Sequence, residues 1–419
     1  MSTLSTSSTR VVIIILFVFI SLAVITFSFL VSRSSLVLTE LSGNTMGTRY
    51  TVKYRDAPDA SSSQIIHAEI ERQLVETNRV MSTYDPDSEL SLLNRAETTD
   101  WLLVSKSLYS VIETAKEISR QSQGAFDVTI GPLVNLWGFG PESRPKRLPD
   151  QAKIDTVLAR TGYNKLELHE TNSAVRKLRS DLYIDLSGIA KGYAVDQIAV
   201  ILERHGIEHY MIEIGGEIRA NGKNAQGIPW QIGIESPQSL NYSVQKIIPV
   251  KNTALATSGN YRNYFSIDGK QYMHIIDPVS GWPVENHLAS VTVMAETCML
   301  ADAWATALLV MGLERGIRLA EQLGLSALFI VSRNGAFVER ATSHFESKSS
   351  QTFLTTFLAS FLVMAIAAGA MAAGTLMGRK PLAGSCGGLG RFGLECDAGC
   401  QKSCANSSSH IVSLDKPEK

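Results

Sequence analysis

Two uncharged apolar runs frame this chain. Residues 11–32 and 349–378 contain no Asp, Glu, Lys or Arg. Each exceeds the roughly 20 residues that a helix needs to cross a bilayer, so each predicts one transmembrane helix. Between them the pattern becomes that of a globular body. Val37 to Tyr54 reads as extended, with a tight turn at Ser42-Gly43-Asn44 and polar–apolar alternation from Arg49 to Tyr54. Ser61-Ser62-Ser63 opens a helix through about Val80, with Ile66, Ile70, Leu74 and Val75 at helical spacing. Ser105 to Gln121 is a second amphipathic helix, and Gln151 to Arg160 a short one. The Gly and Pro content of Gly131 to Pro149 predicts a loop.

Further along, Lys165 to Leu186 alternates like a hairpin, and Gly192 to Gly206 is helical. Tyr210 to Ile214 is a strand ending in Gly215-Gly216. Strands follow at Trp230–Glu235, Gln245–Val250, Ala254–Thr257 and Gln271–Ile276. Helices are expected at Thr297–Gly312 and Glu314–Leu323, then a strand at Ser326–Ser332. Hairpin-like strand connections favour α+β over a doubly wound sheet. The expected organisation is an N-terminal anchor over 1–36, a body over 37–343, a polar linker over 344–352, a membrane helix over 353–378 and a tail over 379–419.

The 419 residues carry a net charge of −1, which argues against nucleic acid as a partner. Charge along the chain bears on topology. Arg379 and Lys380 follow the second apolar run at once, which places the tail in the cytoplasm. Two crossings then return the N-terminus to that side and leave the body on the other, outside the cytoplasm. The first run is longer than a usual signal-peptide core and lacks a clear cleavage site, so it reads as an uncleaved anchor. Cysteine use is lopsided. Cys298 stands alone in the body, whereas Cys386, Cys396, Cys400 and Cys404 fall within nineteen residues of the tail. In a reducing compartment such a cluster suits iron or another soft metal; in an oxidising one it would form disulfides.

Five segments hold candidate chemistry. Asp302 and Thr306 lie four apart on one helix face, oxygen ligands suited to a hard cation such as Mg²⁺. A capping aspartate and a backbone-bonded threonine would look the same in sequence. Asp185 to Asp196 reads as strand, glycine turn and helix, with backbone amides and Lys191 available to an anion. The Gly spacing of a Walker loop is missing, and an ordinary strand–turn–helix link fits equally. His274 precedes a turn fixed by Asp277-Pro278 and Ser280-Gly281, where it can be a general base or a plain structural donor. Gln123 to Asp127 is a short turn bearing Phe126. Finally, Met46 in Thr45-Met46-Gly47-Thr48 and Tyr84 in Met81 to Asp85 could sandwich a flat ring, or pack in a core.

Taken in order, these motifs become specific. Thr-Met-Gly-Thr, Met-Ser-Thr-Tyr, Gly-Ala-Phe-Asp, Asp-Leu-Ser-Gly-Ile-Ala-Lys-Gly-Tyr-Ala, Ile-Gly-Gly-Glu-Ile-Arg, Thr-Ser-Gly-Asn-Tyr, His-Ile-Ile-Asp-Pro and Ala-Asp-Ala-Trp-Ala-Thr-Ala follow one another. This succession resembles the ApbE family of FAD:protein FMN transferases across about residues 38 to 340. The resemblance implies a T-fold-like mixed α/β body that splits FAD at its pyrophosphate. FMN is joined through a phosphoester to a threonine of a target protein, and AMP leaves. It implies Mg²⁺ on Asp302, Thr306 and the backbone carbonyl of Ala190. Met46, Tyr84, Ala125, Phe126, Asp127, Ser187, Lys191, Tyr193, His274 and Ile276 would line the FAD site. His274 matches the histidine that activates the acceptor hydroxyl, and with Asp302 forms the catalytic pair. Many relatives carry a lipidated cysteine after the signal; it is missing here, and a helical anchor takes its place.

The second apolar run and the Cys-rich tail, about residues 353 to 410, resemble NqrM, a maturation factor of the sodium-translocating NADH:quinone reductase. That resemblance implies iron delivery by Cys386, Cys396, Cys400 and Cys404. The same reductase is expected to carry covalent FMN, so its subunits become the expected acceptors. Two rival readings differ only in the acceptor or the turnover: an assembly factor that merely binds FAD, and a pyrophosphatase that uses water.

Overall fold

The computed structural model describes residues 38–55, 60–140, 147–237, 244–260, 264–285, 287–333, 336–345, 360–362 and 364–365. Both apolar runs, save the last five of these residues, and all four tail cysteines lie outside the described residues. Among the described residues no helix is long and apolar enough to cross a membrane. The chain divides into two compact units, Met1–Gln351 and Thr352–Lys419. The strands and helices of the body belong to the first unit.

The chain enters through β1 (Leu38–Thr45) and β2 (Thr48–Arg55), an antiparallel hairpin in which Thr45 pairs with Thr48. Its two-residue turn is Met46-Gly47, with φ of +48° and +74°. Positive φ at both positions is what a tight type I′ hairpin demands. The turn expected at Ser42-Gly43-Asn44 is therefore absent; those residues are strand. Gly43 serves close packing instead, since a Cβ there would lie 2.5 Å from the ring of Tyr50.

Next come α1 (Ala60–Met81), α2 (Glu89–Arg95), the short β3 (Leu102–Leu103) and α3 (Lys106–Gln121). Ser88 and Ser105 cap α2 and α3 through their side chains. The segment expected to be loop opens with a helix, α4 (Gly131–Leu136), because Pro132 occupies its first turn, where no amide is needed. After α5 (Gln151–Leu158), β4 (Leu166–His169) and β5 (Ala174–Lys177) make the expected hairpin, extended at its edge by β3. Then follow α6 (Ala190–Arg204), β6 (Tyr210–Ile214) and β7 (Glu217–Asn221). Beyond lie β8 (Trp230–Glu235), β9 (Val244–Val250), β10 (Thr253–Gly259), β11 (Tyr264–Ile267), β12 (Lys270–Met273) and β13 (Leu288–Ala295). The body closes with α7 (Cys298–Gln322), broken at Gly312 (φ +74°), then β14 (Ser326–Arg333) and β15 (Ala336–Ala341).

Eight strands form one antiparallel sheet in the order β1-β2-β6-β7-β10-β13-β14-β15. One face carries two cores side by side: Val291, Val293, Ala327 and Phe329 pack with α3 and α7, and Tyr50, Val52, Ile212 and Ile214 pack with α1 and α6. Alternate residues, Met294, Leu328 and Ile330, face the other way and pack with Trp230, Ile232 and Ile248 of the β8–β9 hairpin. Period-two alternation thus gives the central strands β13 and β14 two buried faces. A separate cluster of Leu133, Trp137, Ile154, Tyr272 and Ile276 joins α4 and α5 to β12. The fold is α+β in the sense expected.

Candidate active site

Helices α6 and α7 cross so closely that a Cβ on Gly192 would lie 2.4 Å from the carbonyl oxygen of Cys298. Only glycine fits at that crossing. Asp196, one turn on, locks the contact: its carboxylate accepts from the amides of Cys298 (3.0 Å) and Met299 (2.9 Å), and from Arg219 (2.7 Å). A carboxylate at a helix start meets both free amides and the positive end of the helix dipole. The consequence lies one turn into α7. Asp302, 2% exposed, accepts a hydrogen bond from the Gly192 amide at 3.0 Å. The aspartate thus abuts the first turn of α6, two residues beyond Ala190.

Thr306 follows on the same face of α7. Its hydroxyl lies 3.1 Å from that of Ser258 on β10. A Cβ on Gly188 would stand 3.1 Å from the Phe126 ring and 3.6 Å from the Thr306 hydroxyl. The turn before α6, the Phe126 loop and the Asp302–Thr306 face therefore meet at one corner. Asp185 shapes that turn by accepting from the Ser187 amide at 2.8 Å, and Ser187 is exposed.

Charge collects there too. Lys191 Nζ sits 3.3 Å from Glu217 Oε1. Burial acts to lower the Lys191 pKa, but the carboxylates of Asp302 and Glu217 prevail and raise it. Burial raises both Asp302 and Glu217, against the pull of Lys191. The buried Cys298 thiol is likewise pushed up, first by burial. Among the described residues no three His, Cys, Asp or Glu side chains gather as a metal cluster. The oxygen donors at this corner are instead the Asp302 and Glu217 carboxylates, the Thr306 and Ser258 hydroxyls and backbone.

The remaining expected residues fall into two groups. Ala125 and Phe126 are buried beside the corner, behind a turn with Gln123 at φ +56° and Gly124 at +83°. Asp127 accepts from Thr129 (2.8 Å) and from the Tyr163 amide (2.9 Å), so its carboxylate holds that loop in shape. Burial raises its pKa, opposed by those bonds. Tyr193 is half-buried against the α3–α7 core, and Met46 packs between two core clusters.

Tyr84 and His274 belong to a rim. Tyr84 is 68% exposed, and its hydroxyl lies 3.5 Å from the Phe139 carbonyl oxygen. The Phe139 ring in turn meets His274 edge-on at 6.2 Å. Phe139 continues a ladder through Phe265 and Tyr272 to Trp137. Ile276 is buried in this aromatic cluster, and the Trp137 indole fixes the following turn by donating to the Gly281 carbonyl at 2.8 Å. Sequence reasoning missed Ser258, Glu217, Asp196 and Phe139. The first three stand in quoted motifs, but only strand pairing and helix crossing bring them to Thr306, Lys191 and Cys298.

Comparison with known proteins bears on the family and the fold. The ApbE family profile matches residues 46–329. A second profile, (Na+)-NQR maturation NqrM, matches residues 375–415. The FAD:protein FMN transferase of Vibrio cholerae is 47% identical over 306 residues, covering 73% of this chain and 91% of that protein. That of Escherichia coli strain K12 is 37% identical over 312 residues, 74% and 89% respectively. The flavin transferase ApbE structure from Vibrio cholerae superposes with a TM-score of 0.70 at 45% identity, covering 74% of this chain and 99% of that one. The apo flavinyl transferase ApbE of Pseudomonas stutzeri gives 0.69 at 37% identity, with 75% and 97% covered. The chain belongs to the ApbE family.

Proposed function

We propose that this protein is a magnesium-dependent FAD:protein FMN transferase. The observation that supports it most is the meeting of the Asp302–Thr306 face, the Gly188 turn and the ion-paired Lys191 at one corner. The relatives from Vibrio cholerae and Escherichia coli carry the same activity in their names.

The donor set fits a hard cation. Asp302 brings a charged oxygen, Thr306 a hydroxyl, and Ala190 at the start of α6 a backbone carbonyl. A cation held by these groups would offset pyrophosphate charge and so favour departure of AMP. The chain's own residues do the rest. Phe126 and the exposed Tyr84, with Met46, Ala125, Asp127, Ser187, Tyr193 and Ile276 around them, hold the flavin half. Lys191 offers its ammonium to the pyrophosphate. His274 takes the proton of the acceptor threonine. The threonine oxygen then bonds to the FMN phosphorus, the bond to the bridging oxygen breaks, and AMP leaves with that oxygen.

The two apolar runs would anchor the body in the bacterial inner membrane, facing the periplasm, with the tail in the cytoplasm. The NqrM match supports subunits of the sodium-translocating NADH:quinone reductase as acceptors, and iron handling by the four tail cysteines. The test is direct. The protein is incubated with FAD, Mg²⁺ and a candidate acceptor, and the acceptor is weighed intact. A mass gain of one FMN phosphoryl group, with AMP released in equal amount, is expected. AMP release with an unmodified acceptor would make it a pyrophosphatase instead.

A further inference from the structure

Glu217 has no role in that chemistry. It opens β7 directly after Gly215 and Gly216, whose φ values of +61° and +106° bend the chain back. The residue is 4% exposed. Its Oε1 lies 3.3 Å from Lys191 Nζ. Its Oε2 is buried and has no hydrogen-bond partner among the described residues. An orphaned buried acceptor is costly, and more so when charged. Where a protein keeps one beside a functional site, an ordered water or ion is one way to satisfy it.

The charge balance points to what kind of ligand. Asp302, Glu217 and Lys191 act on one another through their fields. Two carboxylates share one ammonium, in a site too buried for solvent to screen charge well. A divalent cation beside Asp302 would supply the positive charge that the second carboxylate lacks. Mg²⁺ gives up its water reluctantly and usually keeps several waters, each a hydrogen-bond donor. We propose that Glu217 is a positioning residue of the cation site: Oε1 holds Lys191, and Oε2 accepts from a water carried by the cation on Asp302 and Thr306. The inference rests on the reading of Asp302 and Thr306 as cation ligands.

Glutamine in place of Glu217 keeps the shape but has a single acceptor oxygen. If that oxygen stays on Lys191, an NH₂ group faces the cation's water. The experiment is a Mn²⁺ titration of the purified full chain without flavin, with free Mn²⁺ read by electron paramagnetic resonance. Glu217→Gln is expected to weaken Mn²⁺ binding about 10–100-fold, the usual cost of losing an outer-shell partner. Lys191→Met should bind Mn²⁺ at least as tightly as the wild type, because a cation leaves the site. In the double variant Glu217→Gln/Lys191→Met no buried ammonium is left unpaired. Should Glu217→Gln fail to fold, the double variant is compared with Lys191→Met and the same 10–100-fold loss is expected. Wild-type affinity in Glu217→Gln, or equal affinity of the double variant and Lys191→Met, overturns the inference. So does a loss confined to the KM for FAD, which would give Oε2 to the nucleotide. Asp302→Ala separates the two levels. If it too binds Mn²⁺ normally, the cation site itself is misplaced; if it alone loses Mn²⁺, only the role of Glu217 fails.

Discussion

The corner between α6 and α7 and the rim around His274 are built differently. At the corner Asp302 and Asp196 are buried and fixed by backbone amides, and Gly192 permits the contact that brings them there. The rim consists of Tyr84, Phe139 and His274, contributed by three separate stretches of chain and touching through ring edges and one long hydrogen bond. A site that must tame pyrophosphate charge gains from burial, because fields are strong where water is excluded. A site that must admit the threonine of another protein cannot be closed. Under the proposed function the buried corner would suit the pyrophosphate, and the open rim an incoming protein acceptor beside the flavin edge held by Tyr84.

The largest break in this comparison is Asp302→Ala. It removes the charged oxygen from the corner and leaves the rim untouched. A metal's stabilisation of transition-state charge is worth several kcal/mol, so transfer should fall by about 10⁴-fold, with the fold intact by circular dichroism. Ordinary turnover at ordinary Mg²⁺ would remove the corner from the mechanism.

His274→Ala tests the other half. Loss of a general base should slow acceptor labelling by about 10³-fold, the middle of the usual range. FAD affinity should change little, because the corner is intact. Collapse of FAD binding with normal turnover of the bound fraction would reverse the assignment and place His274 with the flavin.

Gly192→Ala sharpens the comparison through stability. The new methyl would meet the Cys298 carbonyl, a backbone atom that cannot swing away. Overpacking of this kind costs about 1–3 kcal/mol, and it pushes Asp302 away from the Gly192 amide. Thermal unfolding should therefore show a lower Tm together with weaker Mn²⁺ binding. An equivalent change at the rim, such as Phe139→Leu, should lower turnover with little change in Mn²⁺ binding.

How much of this was legible follows the same division. The corner was readable because its motifs are local: Asp302 and Thr306 sit four apart on one helix, and Asp185 to Asp196 spells its own turn. Helices α1 and α3 were readable from spacing, with Ser105 as a visible cap. Strand β13 was not. Seven of its eight residues are buried, since it lies mid-sheet with cores on both faces. Such a strand loses the polar–apolar alternation that marks a half-exposed one. Gly43 misled because glycine signals turns more often than close packing. Glu217 was hidden because its meaning depends on a lysine from another element.

The smallest effect expected is none at all, and it sets the boundary of the body. Phe345 is 1% exposed and packs with Trp230, Ile248 and Ile330 beneath the β8–β9 hairpin. Loss of a buried phenylalanine side chain costs about 3–5 kcal/mol. A chain ending after Lys348 retains it and retains every residue of the corner and rim. Its rate of acceptor labelling and its Tm should equal those of the full chain. A chain ending after Ala341 loses Phe345 along with the Thr342 hydroxyl that joins the Ala327 amide to the Leu325 carbonyl. That chain should unfold at a visibly lower temperature while keeping its catalytic residues. If the Lys348 truncation slows flavin transfer as much as the shorter one, the tail takes part in the reaction, and the division of labour between body and tail is wrong.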